Sequence, residues 1–320
     1  LLTIISIWME AILNPAIILF ISGIIIGRIF NDTLPPALSK YLGYYLLLSL
    51  GLKGGISLQQ NGFTSEVVNA ISLGIFFALL IPILSYLYLR NNLNIDDAAA
   101  LSGTYGSVSA ITFVTAISYL STNSQAFDDY MSAVLVVMEF PAIFMALFLI
   151  TRKRNVDQNN FEIIKTAFLE VPNVLLISSL IIGFIIQGTI SDNVEFFTDT
   201  LFEYVLYLFL FVMGTRVAKR LKELKGKGKT LILFALITPL IGSVLALFAS
   251  NYFALSIGNA TLLMVLTASA SYIAVPAVVK DAIPDANPAI YLGLSLGVTF
   301  PFNIIIGIPV YHELAKYFIG

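Results

Sequence analysis

Long apolar runs separated by short polar connectors fill the chain, and the runs set its architecture. Ten of them fall at roughly 13–31, 37–57, 67–90, 97–119, 129–151, 171–190, 199–217, 229–250, 259–279 and 288–312. Each is near the ~20 residues that a helix needs to cross about 30 Å of hydrocarbon. Connectors such as NDTLPP (31–36), NNLNIDD (91–97) and SDN (191–193) are built from turn-forming residues. The opening segment 1–13, with the only tryptophan at Trp8, is expected to lie along the interface or to extend the first span. The pattern predicts an all-α polytopic membrane protein with ten transmembrane helices.

The ten runs divide into two sets of five that echo each other. ISGIIIG at 21–27 returns as ISSLIIG at 177–183, and Gly51-Leu-Lys53 as Gly214-Thr-Arg216. Ala78-Leu-Leu-Ile-Pro82 returns as Ala235-Leu-Ile-Thr-Pro239, Ser107-Val-Ser109 as Ser269-Ala-Ser271, and Phe140-Pro141 as Phe300-Pro301. Five matches in order at nearly constant spacing argue for an internal duplication. Fifteen of the seventeen Lys and Arg residues lie in the connectors after the odd-numbered runs, and Lys53 and Lys316 are the exceptions. That bias places the odd connectors in the cytoplasm and both termini outside. An odd number of spans per half makes the second half run opposite to the first, which predicts two inverted five-helix repeats with broken helices at the midplane. The expected division is 1–150, a cytoplasmic linker at 151–170, and 171–320.

Composition agrees. Of 320 residues, 58% are hydrophobic and 11% charged, with a mean hydropathy of +0.92. A net charge of −2 leaves no electrostatic footprint for nucleic acid. There is no cysteine for thiol chemistry, one histidine (His312), read as structural, and no phosphate-binding glycine loop. An enzyme, a nucleotide-driven pump and an organic cofactor are not expected. No basic segment with a cleavage site precedes the first run, so no signal peptide is expected, and a chain opening on Leu reads as trimmed.

The candidate chemistry lies where apolar runs are interrupted. Between Thr267 and Leu314, Ser269 and Ser271 precede a break expected at Pro276, and Thr299, Pro301 and Asn303 interrupt the next run. In the first half, Gly106-Ser107-Val108-Ser109-Ala110 matches Ser269-Ala270-Ser271-Tyr272. Interrupted membrane helices survive only where protein or a polar cavity covers their backbone. The resuming half-helix presents a positive dipole end to an anion, and the opposite carbonyl ends suit a cation. Glu139 sits in mid-span, where a carboxylate costs roughly 2.5–3.5 kcal/mol and therefore faces a cavity or a partner. Thr104, Ser107, Glu139, Ser269, Thr299 and Asn303 are the candidate sodium ligands. Close helix packing through small residues is the competing reading of the serines. Lys53 and Arg216 read as interfacial side chains at helix ends. From residues alone the chain is a secondary transporter.

The ordered motifs SASYIA-P, P-ANP, SLGVTFPFN and GIP-YH within 269–312 resemble the sodium-dependent bicarbonate permease family known from cyanobacteria. Weaker matches extend the resemblance over most of the chain, and Glu139-Phe140-Pro141-Ala142 looks like the family's acid-containing motif with a longer acid. The resemblance implies sodium-coupled uptake of bicarbonate across the plasma membrane, with sodium as coupling ion and no cofactor. It also implies a homotrimer and a PII-like regulatory protein at the cytoplasmic face, the latter weakened here by a short central linker. A carrier of another small anion or organic acid, coupled to sodium or protons, is the first alternative. A membrane anion sensor that does not transport is the second.

Overall fold

The computed structural model describes residues 14–30, 34–154, 165, 169–186, 192–223, 228–272, 275–276, 279 and 283–320. Trp8 with the rest of 1–13, most of the 151–170 linker, and Lys225 and Lys227 of the basic connector lie outside the described residues. The described residues are helical with no strand. In order they form α1 (Pro15–Ile29), α2 (Pro36–Asn61), α3 (Ser65–Leu89), α4 (Ile95–Gly106), α5 (Ala110–Thr122) and α6 (Met131–Arg154). There follow α7 (Val171–Ile185), α8 (Leu201–Glu223, entered through a π turn at Phe196–Thr200), α9 (Lys229–Tyr252), α10 (Ile257–Ala268) and α11 (Pro288–Ile319).

The helix starts follow from local chemistry. Asn14, Thr64, Asn94, Ser256 and Asn287 cap α1, α3, α4, α10 and α11 by accepting a first-turn N–H. Proline opens α1, α2, α7 and α11, where its missing N–H leaves nothing unpaired.

The interruptions differ in cause from those expected. α10 stops at Ala268, well before Pro276, which lies in helical backbone at 275–276. The break is made by Ser269 in extended conformation (φ −88°, ψ 167°), matched by Ser107 after α4 (φ −90°, ψ 170°). Pro301 does not break α11 either. The helix widens around it into π turns at Ser295–Thr299 and Asn303–Gly307, the usual local adjustment to a lost backbone bond.

Five described helices are long and apolar enough to cross a bilayer: Ser65–Leu89, Ile95–Thr122, Phe196–Leu221, Lys229–Tyr252 and Pro288–Ile319. Pro15–Ile29 and Val171–Ile185 are apolar but have 15 residues, about 22 Å of rise. The helices make this chain a multi-pass membrane protein.

Two helix groups emerge from the packing. In one, α2 packs along α7 and α1 along α8. A Cβ at Gly51 would lie 1.9 Å from Ser179 Oγ, and one at Gly55 would lie 2.0 Å from the Leu180 carbonyl oxygen. Across the other pair, a Cβ at Gly23 would lie 2.1 Å from the Phe211 carbonyl oxygen, and one at Gly214 would lie 2.3 Å from that of Phe20. Such approach of backbones is how membrane helices gain van der Waals contact where lipid offers no hydrophobic drive. The repeated ISGIIIG and ISSLIIG segments thus supply the small residues of these two interfaces. α3–α6 and α9–α11 form the second group, with α3 against α4 and α6, and α9 against α10.

Gly23→Ala and Gly55→Ala are each expected to cost about 1–3 kcal/mol through overpacking, seen as a lower unfolding midpoint in detergent. Gly228→Ala meets nothing within 4 Å and should leave that midpoint in place.

Candidate functional site

The two helix breaks lie against each other. Ser109 N–H donates to Ser269 Oγ at 2.9 Å, and Ser271 N–H donates to the Thr104 carbonyl at 2.9 Å. Each break therefore satisfies backbone groups of the other. Ser109 also caps α5, its Oγ accepting from Thr112 N–H at 3.2 Å and Thr112 Oγ1 at 2.9 Å. Ser271 plays the equivalent part in the second half, accepting from Val275 N–H at 3.3 Å. Ser109 stands at the start of α5, where the dipole is positive, and Ser271 precedes the helical backbone at 275–276.

A small cavity of about 30 Å³ opens beside this crossing, room for roughly one water. Val108, Ser109, Ala110, Ser271, Tyr272 and Glu139 all line it. The buried carboxylate of α6 and both serine caps therefore share one volume. Leu47 of α2 and Pro172, Asn173 and Leu176 of α7 close the opposite wall. Those four were not anticipated. Asn173 carries the one legible signal, a polar residue just inside the start of an apolar helix.

Other expected site residues are held elsewhere. Gly106 is small because a Cβ there would lie 2.5 Å from Pro82 Cγ, so its role is to pack α4 on α3. Ser107 Oγ is buried without a hydrogen-bond partner among the described residues, and its N–H donates to the Gly103 carbonyl at 3.2 Å. Ala270 is buried within the second break. Thr104 Oγ1 donates to the Ala100 carbonyl and Ser269 Oγ to that of Leu266, both at 2.8 Å. Thr299 lies between α4 and α9, donating to the Ala235 carbonyl at 2.8 Å and 2.5 Å from the Tyr105 hydroxyl. Asn303 bridges helices, its Nδ2 donating to the Ala268 carbonyl at 2.8 Å and its Oδ1 accepting from Tyr311 at 2.9 Å. The carbonyls of Gly103, Thr104, Leu266 and Ala268, expected to lie open for a cation, all accept hydrogen bonds.

Two larger vestibules flank the crossing at opposite ends. One, of about 410 Å³, carries Lys40, Arg216 and Arg220 and shares Leu47, Ala110, Ile111, Pro172 and Tyr272 with the central cavity, so the cavity opens toward this basic end. The other, of about 400 Å³, carries Lys53, Asp129, Asp199 and Glu203 and shares no described lining residue with it. Lys53 and Arg216 line these two vestibules from within α2 and α8 and do not stand at helix ends. Lys53 Nζ lies 2.5 Å from Asp199 and 3.8 Å from Asp129, and Arg216 Nη2 donates to the Pro36 carbonyl at 3.0 Å. Burial pushes the carboxyl of Asp129, which precedes α6, above the ordinary carboxylate range, with the Lys53 ammonium opposing it.

Removing the Asn303 bridge tests which of its two readings holds. Asn303→Leu orphans the Ala268 carbonyl and the Tyr311 hydroxyl, at about 1–3 kcal/mol each. The unfolding midpoint should fall, while any shift of that midpoint on adding sodium should persist. Loss of the sodium shift alone would make Asn303 a ligand.

The sequence matches a family model described as the Na+-dependent bicarbonate transporter superfamily over residues 15–316. No curated protein is matched.

Proposed function

Because the chain belongs to the Na+-dependent bicarbonate transporter superfamily, we propose that it is a secondary transporter carrying bicarbonate into the cell with sodium. The observation that carries this reading is the shared cavity: a buried carboxylate, Glu139, beside the N-terminal ends of two resuming helices capped by Ser109 and Ser271. In the proposed arrangement the cavity, about one water in size as described, widens on loading, and the helix ends and hydroxyls hold the anion, since no described Lys or Arg lines it. Glu139 supports sodium, a hard cation that prefers carboxylate oxygen.

The architecture we propose for this task is two inverted repeats of five spans, 1–150 and 171–320, joined by a cytoplasmic linker. Several contacts support it. The Lys53–Asp199 and Arg216–Pro36 contacts each join the second helix of one half to the start of the second helix of the other. Lys53 corresponds to Arg216 and Pro36 to Asp199 at the same offset that relates Gly51 to Gly214. The breaks at Ser107 and Ser269 have closely similar backbone angles and follow helices of 12 residues each. The basic vestibule then faces the cytoplasm and the acidic one the outside, with both termini outside, and the state described is open inward.

Uptake of labelled bicarbonate into proteoliposomes under an inward sodium gradient should exceed uptake under a potassium gradient. Ser109→Ala and Ser271→Ala should each weaken anion binding by roughly ten- to a hundredfold, the worth of a hydroxyl donating to a charged ligand. Glu139→Gln should lower apparent sodium affinity while the protein still folds. Uptake with no sodium dependence would sink the reading.

Topology has its own check. A cysteine placed at Lys225, unique in a chain without cysteine, should resist an impermeant thiol reagent in intact cells and react after permeabilisation. Labelling from outside in intact cells would reverse the proposed orientation.

A further inference from the structure

The two vestibules are counterparts in sequence, and their charges are not the same. Leu50, Lys53 and Glu203 line the acidic one. Their repeat counterparts Met213, Arg216 and Lys40, all at the Gly51-to-Gly214 offset, line the basic one. Arg216 faces the vestibule that is open to the central cavity, beside Tyr272. Lys53 faces the closed one and is covered by two carboxylates.

Those carboxylates are not equivalent. Asp199 precedes α8, which packs with α2 in the same helix group, so the Lys53–Asp199 contact can survive a movement between groups. Asp129 precedes α6, in the other group, so the Lys53–Asp129 contact spans the seam along which the vestibule would open. By the flanking matches Ser107/Ser269 and Phe140/Phe300, Asp129 corresponds to a position within 289–291, Ala-Ile-Tyr, which holds no carboxylate. The carboxylate that does line the open vestibule, Glu170, belongs to a different segment.

We infer that Lys53 is the anion-receiving cation of the outer vestibule, covered by Asp129 while that vestibule is closed and, still paired with Asp199, left with donors free for the incoming anion when Asp129 moves away. Lys53 thereby selects a small anion on the outer side, as Arg216 is placed to do on the inner. This rests on the proposed transport function for its direction but not for its electrostatics. A cation at the mouth of a low-dielectric cleft raises the local concentration and capture rate of anions. At 26% side-chain exposure, Lys53 is reachable by solvent yet close enough to the protein for that field to be felt.

Two measurements test it. In proteoliposomes, Lys53→Gln should raise the KM for bicarbonate presented at the outer face by about three- to tenfold, and Lys53→Arg should restore it. Arg216→Gln should leave that KM in place and raise the KM for efflux from the inner face. If the wild type transports but Lys53→Gln leaves the outer KM unchanged, the inference fails and the transport function stands. The second measurement needs no transport. A cysteine at Ser121, exposed in the outer vestibule, is labelled with a sulfonate-bearing and a trimethylammonium-bearing methanethiosulfonate. Lys53→Gln should lower the anion-to-cation rate ratio about threefold or more, and Asp129→Asn should raise it. An unchanged ratio in Lys53→Gln overturns the inference even if the wild type carries no bicarbonate.

Discussion

Backbone polar groups freed inside a membrane must be satisfied by protein, and the crossing of the two helix breaks is how this molecule meets that constraint. At each break about four carbonyls and four N–H groups lose their helical partners, and in hydrocarbon each would be costly. The two breaks solve the problem jointly. Ser109 N–H is taken by Ser269 Oγ and Ser271 N–H by the Thr104 carbonyl, so neither interruption is complete without the other. Asn303 then covers the Ala268 carbonyl from a third helix. The small residues follow from the geometry: two extended segments crossing at hydrogen-bond distance leave room for serine and alanine and little else.

The cavity beside the crossing is reached along the seam between the helix groups. Glycines at 23, 51, 55 and 214 bring backbones so close within α1/α8 and α2/α7 that these pairs have no slack for a third layer of side chains. The seam mixes close packing with charge: a Cβ at Gly54 would lie 2.7 Å from Ser132 Cβ and Phe20 meets Phe300 edge to face, while Lys53 reaches Asp129 at one end and Arg216 stands beside Tyr272 at the other. A partly exposed ion pair such as Lys53–Asp129 adds little to stability.

Much of this was legible from residue order. The apolar runs anticipate the described helices to within a few residues, and the paired Ser-x-Ser segments mark both breaks. Glu139 stood out because a mid-span carboxylate requires a cavity, and it lines the same one as Ser109 and Ser271. What was not legible depends on distance in sequence. Lys53 read as an interfacial side chain because its partner Asp199 is 146 residues away. Gly106 read as part of the candidate site because Pro82 is invisible to local pattern. Pro276 and Pro301 were overvalued as breakers: Pro276 lies in helical backbone at 275–276, and a proline in a long apolar helix can be absorbed by a π turn. Thr299 and Asn303 were grouped with Glu139 as candidate sodium ligands, but their hydroxyl and amide are committed to Ala235, Tyr105, Ala268 and Tyr311.

Under the proposed function, the cavity's composition also explains why anion and cation would travel together. The helix ends that would hold bicarbonate carry partial positive charge of about half a unit each, and no described side-chain cation stands with them. An ionised Glu139 in the same cavity works against them. Two like charges about 5 Å apart at an effective dielectric of about 20 repel by roughly 3 kcal/mol, enough to cancel most of what one or two charge-assisted hydrogen bonds contribute. Sodium at the carboxylate neutralises it and removes that repulsion, a change of roughly 3 kcal/mol, or about a hundredfold in anion affinity. A lysine in the cavity would bind the anion without sodium and abolish the dependence. The same reasoning favours cations in the vestibules over the cavity itself: Arg216 and Lys53 can concentrate anions at each mouth without making the central site indifferent to sodium.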